Sequence, residues 1–511
     1  MSKSREHAIF IEGQPEKEAA DQIIIDTLEA NVTVAPLCIS LKKLMEAKKS
    51  VAHVHNERAK EKPKIQRVPD DLIKEQNKFG KYYEPQSIGE TKFEKYYEPL
   101  WISIGPIHHG KTKLMLAEKK YKPELVVKFI NDSGSGIEAL YKIIKDRIAE
   151  LKECFVEDVI KDYDDDTLSW MLFFDGCSTL QFISSYVNDE LKKLFWIKND
   201  QVAYAQRDLF LLENQIPFLV LKLLMECRND TAELKNSVET FICLNVMTPK
   251  NYKKKLEIKI GTDPEPTHLL ELLQLAILKQ PKKHCTSSIG LMEMLSCGLY
   301  KVTGLFPLKN FWPFKLWEKK ENGHQSFRSV QDLKSAGIDL KPSRSCSLRD
   351  VSFTSLCFAG RLRLPPITVD DSTGPRFLNL IAYEMCPDNF RTNYEVTTYI
   401  CFLDSLIDYP DDVKELRSAH ILHNLLGCDK EVAQLFNEIG TDLVPNKAVY
   451  NEVIFQVQSH YKSKWRTSMA EVFHEHFSSP WTIVAFLAAA VALCMSGRLG
   501  TRSTLPDLQL D

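Results

Sequence analysis

Several features that define particular protein classes are missing from this 511-residue sequence. Glycine and proline are scarce, at 20 and 24 residues, which excludes a collagen-like chain and any long flexible linker composition. Charge of one sign is not in excess, because 66 Lys and Arg stand against 69 Asp and Glu, a net charge of −3. This balance excludes a polycation of the kind that binds nucleic acid, and we predict no nucleic-acid partner.

Paired metal-binding or redox cysteines are also missing. The chain has 13 cysteines, but no two have the C-x-x-C spacing of a zinc ribbon or a thioredoxin-type motif. Their odd number and scattered positions favour mostly reduced, buried thiols over a disulfide scaffold. No apolar core of a signal peptide follows Met1, since residues 1–22 carry charges almost throughout.

One long uncharged run is present, close to the carboxyl end, at residues 477–497. Its strongly apolar part is Trp481–Met495, and a helix of about 17 residues would reach about 26 Å of a roughly 30 Å hydrocarbon core. We therefore predict a transmembrane helix over 477–497, with a short polar tail at 498–511. The expected partner of this helix is the membrane. We therefore expect a single-pass membrane protein, and the plasma membrane is the candidate location. A buried C-terminal helix of a soluble domain stays open as the alternative, because alanines weaken the hydrophobicity.

The remaining chain divides into an N-terminal arm and one large domain. Residues 1–65 are predicted to be a variable, partly disordered arm. The stretch Lys42–Arg67 has a local net charge of +6, which fits a solvated face or a segment that binds anionic lipid or a partner. A short duplication follows, since KYYEP occurs at 81–85 and again at 95–99. Residues 66–470 are predicted to form the helical domain.

Apolar residues recur at helical spacing through most of this domain. Trp170–Tyr186 is a dense apolar run long enough for a buried helix, and Asp208–Met225 is another, which Pro217 should kink or split. Residues 346–370 instead alternate between apolar and charged positions and contain adjacent prolines, which predicts a strand or hairpin. The predicted fold class is mainly α: a large helical domain with a small β-hairpin element and one C-terminal transmembrane helix.

A possible nucleotide site lies at residues 105–112, which read GPIHHGKT and fit the pattern G-x-x-x-x-G-K-[ST]. In a phosphate-binding loop, Gly105 and Gly110 would shape the backbone, Lys111 would reach the β- and γ-phosphates, and Thr112 would bind Mg²⁺. The later segment MLFFD (171–175) has the form of a strand ending in a Mg²⁺-binding carboxylate. These four residues form the alternative cofactor-binding set.

Other features favour an ordered turn over a phosphate loop. Pro106 removes one backbone donor, His108 and His109 are bulky, and the chain lacks the alternating strands and helices of an α/β nucleotide-binding protein. The two histidines are also a poor metal chelate, because adjacent side chains point apart and no further ligand has suitable spacing. We therefore predict neither a bound cofactor nor a metal site.

No catalytic constellation is evident elsewhere. Asp175 and Cys177 could form a nucleophile pair, but a structural aspartate on a buried helix explains them better. The polar residues Arg207-Asp208 and Glu213–Gln215 lie on an apolar stretch, where a buried network that fixes packing is favoured over catalysis. The sequence therefore predicts no catalytic residues and a protein that is not an enzyme.

Eight segments resemble one plant family, and they occur in the family's order over about residues 66–496. The segments LLENQIPF (211–218) and FFDGC (173–177) are the most specific. The eight are ISIGPIHHGK (102–111), MLFFDGCSTLQFI (171–183), QRDLFLLENQIPFLVLKLL (206–224), HLLELLQLAIL (268–278), SVQDLKSAGIDLK (329–341), LRLPPITVDDSTGPRFLNLIAYEMC (362–386), the segment 399–440 and SPWTIVAFLAAAVAL (479–493). The chain resembles the plant domain-of-unknown-function family numbered 247.

This resemblance implies plant origin, a largely helical fold, a single span near the carboxyl end and no established enzyme activity. Some relatives act in grass self-incompatibility as pollen-side determinants, which implies recognition at a cell surface. The sequence thus predicts a membrane-anchored plant protein of an uncharacterised family, which serves as a non-enzymatic interaction, signalling or recognition module with an unknown protein partner. The alternatives are an enzyme that binds nucleotide through GPIHHGKT and a soluble helical scaffold.

Overall fold

A computed structural model describes residues 62–70, 72, 94–253, 256, 258–261, 265–279, 329–356 and 359–461. From Pro63 onward these residues belong to one compact unit. Most of the predicted arm 1–65, the first KYYEP copy, the predicted transmembrane helix 477–497 and the polar tail 498–511 lie outside the described residues.

Helices make up most of the described chain. Up to residue 279 they are α1 (Lys122–Ser133), α2 (Ile137–Lys145), α3 (Ile148–Glu153), α4 (Glu157–Ile160), α5 (Asp165–Val187), α6 (Leu191–Phe195), α7 (Asn199–Asp208), α8 (Phe218–Glu226), α9 (Thr231–Asn245), α10 (Lys250–Lys253) and α11 (Leu269–Leu278). From residue 329 they are α12 (Val330–Ser335), α13 (Thr373–Glu384), α14 (Glu395–Asp404), α15 (Pro410–Ser418), α16 (Asp429–Gly440) and α17 (Asn451–Tyr461). The strands are β1 (Ile338–Pro342), β2 (Ser352–Leu356), β3 (Ala359–Leu364), β4 (Ile367–Val369) and β5 (Leu422–Asn424).

Helix α5 lies at the centre of the N-terminal half. Its apolar residues surround the helix, so that Leu172, Phe173 and Leu180 are all fully buried, as expected for a helix without a polar face. Helices α1, α2, α8 and α9 pack against it. The side chain of Asp164 begins the helix by accepting a 2.7 Å hydrogen bond from Thr167 N. The predicted buried helix over this region is confirmed.

The prediction for Pro217 is also confirmed. Helix α7 ends at Asp208, and α8 begins directly after Pro217. Between them the chain is irregular, because proline has no N–H to continue a helix and its ring clashes with the preceding turn. Because of this interruption, backbone N–H and C=O groups of residues 209–217 lack partners within a helix. They must find hydrogen-bond partners elsewhere.

The strands form two small sheets. Strands β2 and β3 are the predicted antiparallel hairpin, and β1 adds to β3 in parallel, giving the order β1-β3-β2. Leu362 and Leu364 are buried, whereas Arg361 is exposed, so the sequence alternation reports the two faces of β3. Strands β4 and β5 pair in parallel as a separate sheet, which the sequence pattern did not reveal.

The predicted fold class is wrong in including a C-terminal transmembrane helix. Within the residues that the structure describes, no helix is long and apolar enough to cross a membrane. The segment 477–497 assigned to that helix lies outside those residues. The described architecture is corrected to mainly helical with two small sheets.

Candidate functional site

The family-like motifs meet around one extended segment, Leu100–His108, which we call the buried segment. Residues 101–106 and His108 are buried, yet the segment belongs to none of the strands or helices. Backbone N–H and C=O groups in such a position must be satisfied by other partners. Here those partners include the side chains of three polar residues, Asp175, Asp208 and Asn214.

Asp208, the last residue of α7, holds the start of the buried segment. Its carboxylate accepts hydrogen bonds from three consecutive backbone N–H groups, at 3.0 Å from Leu100, 2.7 Å from Trp101 and 3.1 Å from Ile102. Burial raises the pKa of Asp208 to about 6, and the three N–H donors oppose this rise without cancelling it. The carboxylate therefore acts as a buried acceptor for main chain.

Asn214 continues the same support further along the buried segment. Its Oδ1 accepts a 2.7 Å hydrogen bond from Ile104 N, and its Nδ2 donates to the carbonyls of Ile102 at 3.1 Å and Asp208 at 2.9 Å. An amide side chain is suited to this position because it can accept and donate at once. All three partners are backbone groups, so Asn214 takes the place of a neighbouring strand.

Gln215 organises the irregular chain that supports the buried segment. Its Nε2 donates to the carbonyls of Leu209 and Leu211 at 2.9 and 2.8 Å. Its own carbonyl lies so close to Gly105 that a Cβ added there would be 2.3 Å from the oxygen. Gly105 also has a φ of +75°, a conformation that glycine adopts readily. Both observations explain the glycine of the SIGP motif structurally.

Asp175 on α5 also contacts the buried segment, at Gly105. Its Oδ2 accepts a 2.7 Å hydrogen bond from Gly105 N, and its Oδ1 accepts a 2.6 Å bond from Lys122 Nζ. The lysine also pairs with Glu118 at 2.7 Å, which in turn accepts a 2.8 Å bond from Ser103 Oγ. The aspartate of the DGC segment is thus a structural residue, as the sequence favoured.

The charges of this group depend on one another. Burial raises the pKa of Asp175, and the attraction of Lys122 does not fully oppose it. Burial alone would lower the pKa of Lys122, but the carboxylates of Asp175 and Glu118 outweigh it, so its pKa is raised. Lys122 therefore stays protonated although its side chain is fully buried.

His108 and Glu213 join the buried segment to the chain at residues 62–70. Nε2 of His108 lies 3.3 Å from Oε2 of Glu213, and Oε1 of Glu213 accepts a 2.9 Å hydrogen bond from Val68 N. Burial raises the pKa of Glu213, but its contacts with His108 and Val68 N–H outweigh burial, so that its pKa lies below the usual value. The other histidine, His109, is exposed, so the two rings point apart.

The four residues of the nucleotide alternative do not share one environment. The N–H of Gly105 and the Nζ of Lys111 both bind carboxylates, the latter at 3.1 Å from Glu98 Oε1. Gly110 has a φ of +75°, and Thr112 begins a short 3₁₀ turn, Thr112–Leu114. Nucleotide binding stays a prediction, but two of its donors already have acidic partners, and a buried carboxylate beside Gly105 would repel a phosphate. Among the described residues, no group of three or more His, Cys, Asp or Glu could hold a metal ion.

Sequence reasoning missed two residues of this assembly. Nothing in the local pattern separates Lys122 from the exposed lysines that precede it. Asn379 on α13 was missed as well, although its Oδ1 accepts a 2.7 Å hydrogen bond from Leu212 N and its Nδ2 donates to Tyr96 O at 3.0 Å. Only its position among apolar residues of an amphipathic helix could have indicated a buried amide.

Comparison with known proteins identifies similar sequences. Residues 82–495 match the sequence model of DUF247, described as a plant protein of unknown function. Two UPF0481 proteins of Arabidopsis thaliana are similar to the chain. One is 25% identical over 423 residues, which cover 77% of this chain and 80% of the relative. The other is 24% identical over 464 residues, which cover 77% and 84%. No solved structure matches at a significant level.

Proposed function

Because the chain belongs to DUF247, a family of plant proteins of unknown function, we propose its role from geometry: it is a non-enzymatic recognition module. It binds a protein partner through an aromatic surface on helices α2 and α5. The polar motif residues support this assignment indirectly. Asp175, Asp208 and Asn214 are buried and bind main chain, so they hold the fold rather than face a substrate.

The observation that carries the proposal is a cluster of rings at the surface, which we call the aromatic surface: Tyr141, Trp170 and Phe174, with Phe173 beneath. Trp170 is 46% exposed, and its ring centroid lies 5.5 Å from Tyr141, 5.6 Å from Phe173 and 6.3 Å from Phe174. A tryptophan fixed by neighbouring rings presents a large apolar area at a low cost in side-chain entropy. Tyr and Trp are enriched among the residues that dominate interface energies.

The charges beside the aromatic surface indicate the chemistry of the partner. The acidic run Asp162–Asp166 covers the start of α5 and ends four positions before Trp170, and its four aspartates are exposed. Lys145 and Lys152 pair with two of them, Asp166 and Asp165, at 2.6 and 2.9 Å, which leaves an acidic excess. Rings next to carboxylates suit Arg or Lys, whose cationic head binds the acid while it lies over the ring. We therefore propose a partner with a basic face.

The test compares three forms of the full-length protein in capture from plant extract: wild type, Trp170→Ala and Trp196→Ala. Trp196 is a matched control because it is 80% exposed and has no ring contact in the described structure. A partner of the proposed kind binds wild type and Trp196→Ala. Its affinity for Trp170→Ala, measured by titration with the purified partner, is lower by about 30-fold or more, as for an interface hot spot.

Two results would count against this function. Equal binding of all captured proteins to the three forms would show that the aromatic surface is not the interface. Binding that survives Trp170→Ala but is lost in Trp196→Ala would move the interface to another face. Because both tryptophans are substantially exposed, both variants should unfold close to wild type, and this can be checked by thermal unfolding.

A further inference from the structure

The three-stranded sheet β1-β3-β2 has two faces of different chemistry, because successive side chains of a strand point to opposite sides. Helix α17 covers one face. There the ring centroid of His460 lies 5.7 Å from that of Phe353, and His460 Nδ1 lies 2.9 Å from Ser355 Oγ. The alternate residues of the strands point away from α17. We call this side the outer face, and it carries Asp339, Lys341, Ser352, Thr354, Arg361 and Arg363.

Strand pairing places these side chains in two rows across the sheet. In one row Arg361 of β3 lies opposite Asp339 of β1, and in the next row Arg363 lies opposite Lys341. Each row ends at a hydroxyl residue of β2. Neighbouring strands are about 4.8 Å apart, and alternate residues of one strand are about 6.6 Å apart. The three cations of the outer face are therefore held close together by the backbone.

The outer face has more positive than negative charge. Arg361, Lys341 and Asp339 are each about half exposed. Asp339 Oδ2 lies 3.4 Å from Lys341 Nζ and 3.9 Å from Arg361 Nε, so that two cations share one carboxylate. Arg363 is partly exposed and has no ion-pair partner among the residues that the structure describes. Three cations with one acid leave an excess of positive charge that faces solvent.

We propose that the outer face binds an extended acidic segment of a partner protein, with Asp or Glu at alternate positions. Side chains two residues apart in an extended chain lie on one side of it, about 6.6 Å apart, which is also the spacing of Arg361 and Arg363 along β3. Each guanidinium can hold one carboxylate through two parallel N–H donors. Lys341 adds a third positive charge beside Arg363.

This inference is independent of the aromatic surface, which lies on α2 and α5 and takes a partner of the opposite charge. A membrane fits the outer face less well than a peptide does. Its two rows consist of charged and hydroxyl residues, so they offer no aromatic or aliphatic side chain to insert among lipids. Three cations, one of them offset by Asp339, attract an anionic bilayer only weakly.

The experiment measures binding of two labelled peptides to the full-length protein by fluorescence anisotropy. Both peptides have the same composition and charge. One alternates Glu and Ser, and the other carries all its Glu residues in one block. Wild type should bind the alternating peptide saturably and at least about 3-fold more tightly than the block peptide. This affinity should fall as salt is raised, because the charges are exposed.

Substitutions then locate the binding surface. Arg361→Gln and Arg363→Gln should each weaken binding of the alternating peptide by about 3- to 10-fold. Asp339→Asn should instead strengthen it by about 2- to 5-fold, because it removes the carboxylate that competes for Lys341 and Arg361. The matched control is Lys193→Gln on α6, which removes an exposed lysine and should bind like wild type. Thermal unfolding checks that every variant is folded.

Absence of saturable binding of the alternating peptide to wild type overturns the proposal. So do equal affinities for the two peptides, because net charge alone would then explain the attraction. Unchanged affinity in folded Arg361→Gln and Arg363→Gln proteins overturns it as well. Sedimentation with vesicles that contain phosphatidylserine is run in parallel. Vesicle binding that Arg361→Gln abolishes, without binding of either peptide, would assign the outer face to a lipid surface instead.

Discussion

The pH dependence of stability offers a direct test of the role assigned to Asp208. Its pKa of about 6 in the folded protein lies above the usual 3.8 because burial disfavours the charged form. Between about pH 4 and 6 the folded protein therefore binds a proton that the unfolded chain does not. Asp208 thus makes the free energy of unfolding fall as the pH rises through this window. The variant Asp208→Asn removes the titration and keeps one oxygen to accept from Leu100–Ile102.

The magnitude follows from the two pKa values. Raising one carboxyl pKa from 3.8 to about 6 corresponds to about 3 kcal/mol, at roughly 1.4 kcal/mol per pH unit. Other carboxyl groups titrate in both proteins, so their contributions largely cancel in the difference. Because the unfolded carboxyl is already partly protonated at pH 4, the unfolding free energy of wild type minus that of Asp208→Asn should be about 2.5 kcal/mol larger at pH 4 than at pH 7.

Urea unfolding of both full-length proteins at half-unit steps from pH 4 to pH 7 measures this difference. The slope of the unfolding free energy against urea concentration must be the same for the two proteins, so that their midpoints can be compared. A difference that stays constant within about 0.5 kcal/mol, or that grows as the pH rises, would refute the assignment of Asp208 as a buried acceptor with a raised pKa. A change confined to pH 4–6 supports it.

Three further predictions concern the same assembly. Gly105→Ala should destabilise by about 2–4 kcal/mol, because its Cβ would meet the Gln215 carbonyl. Gly110→Ala shares the positive φ but has nothing within 4 Å, so it should lose only about 1 kcal/mol; chemical unfolding compares the two. Lys122→Met should lose about 3–5 kcal/mol by leaving Asp175 unpaired in the core, and adding Asp175→Asn should restore part of this in a double-mutant cycle. Lys111→Ala removes a partly exposed ion pair and should change stability by less than about 0.5 kcal/mol.

Each of these has a contradicting outcome. Equal losses in the two glycine variants would show that backbone conformation, not the approach of Gly105 to the Gln215 carbonyl, decides the effect. Additive losses for Lys122→Met and Asp175→Asn would mean that the two groups are not coupled. A large loss in Lys111→Ala would place Lys111 in a more important contact than its ion pair with Glu98.

Local patterns predicted the elements of the fold well. The apolar run Trp170–Tyr186 predicts the buried helix α5, Pro217 predicts the break before α8, and the alternation around Leu362 predicts the hairpin β2–β3. The parallel partners β1 and β5 were not predicted, because parallel pairing joins residues that lie far apart in sequence and leaves no local period.

The candidate site was predicted only as a set of separate motifs. Asp175, Asp208 and Asn214 were each interpreted as structural polar residues on apolar stretches, and in the structure each accepts hydrogen bonds from main chain. What they hold was not predicted, since the buried segment is neither a helix nor a strand and has no periodicity of its own. The match of residues 105–112 to a phosphate loop shows the same limit, because a pattern specifies residue types but not what their N–H groups contact.

The sequence alone determined the helical class, the helix breaks, the hairpin and the family, because these depend on spacing, local conformation and motif order. Only the tertiary structure decided that three motifs far apart in the chain join around Leu100–His108, and that Lys122 is a buried cation with two carboxylate partners, Asp175 and Glu118. The physical reason is that the free energy of a buried charge depends on neighbours within a few ångströms in space, and sequence position does not encode those neighbours.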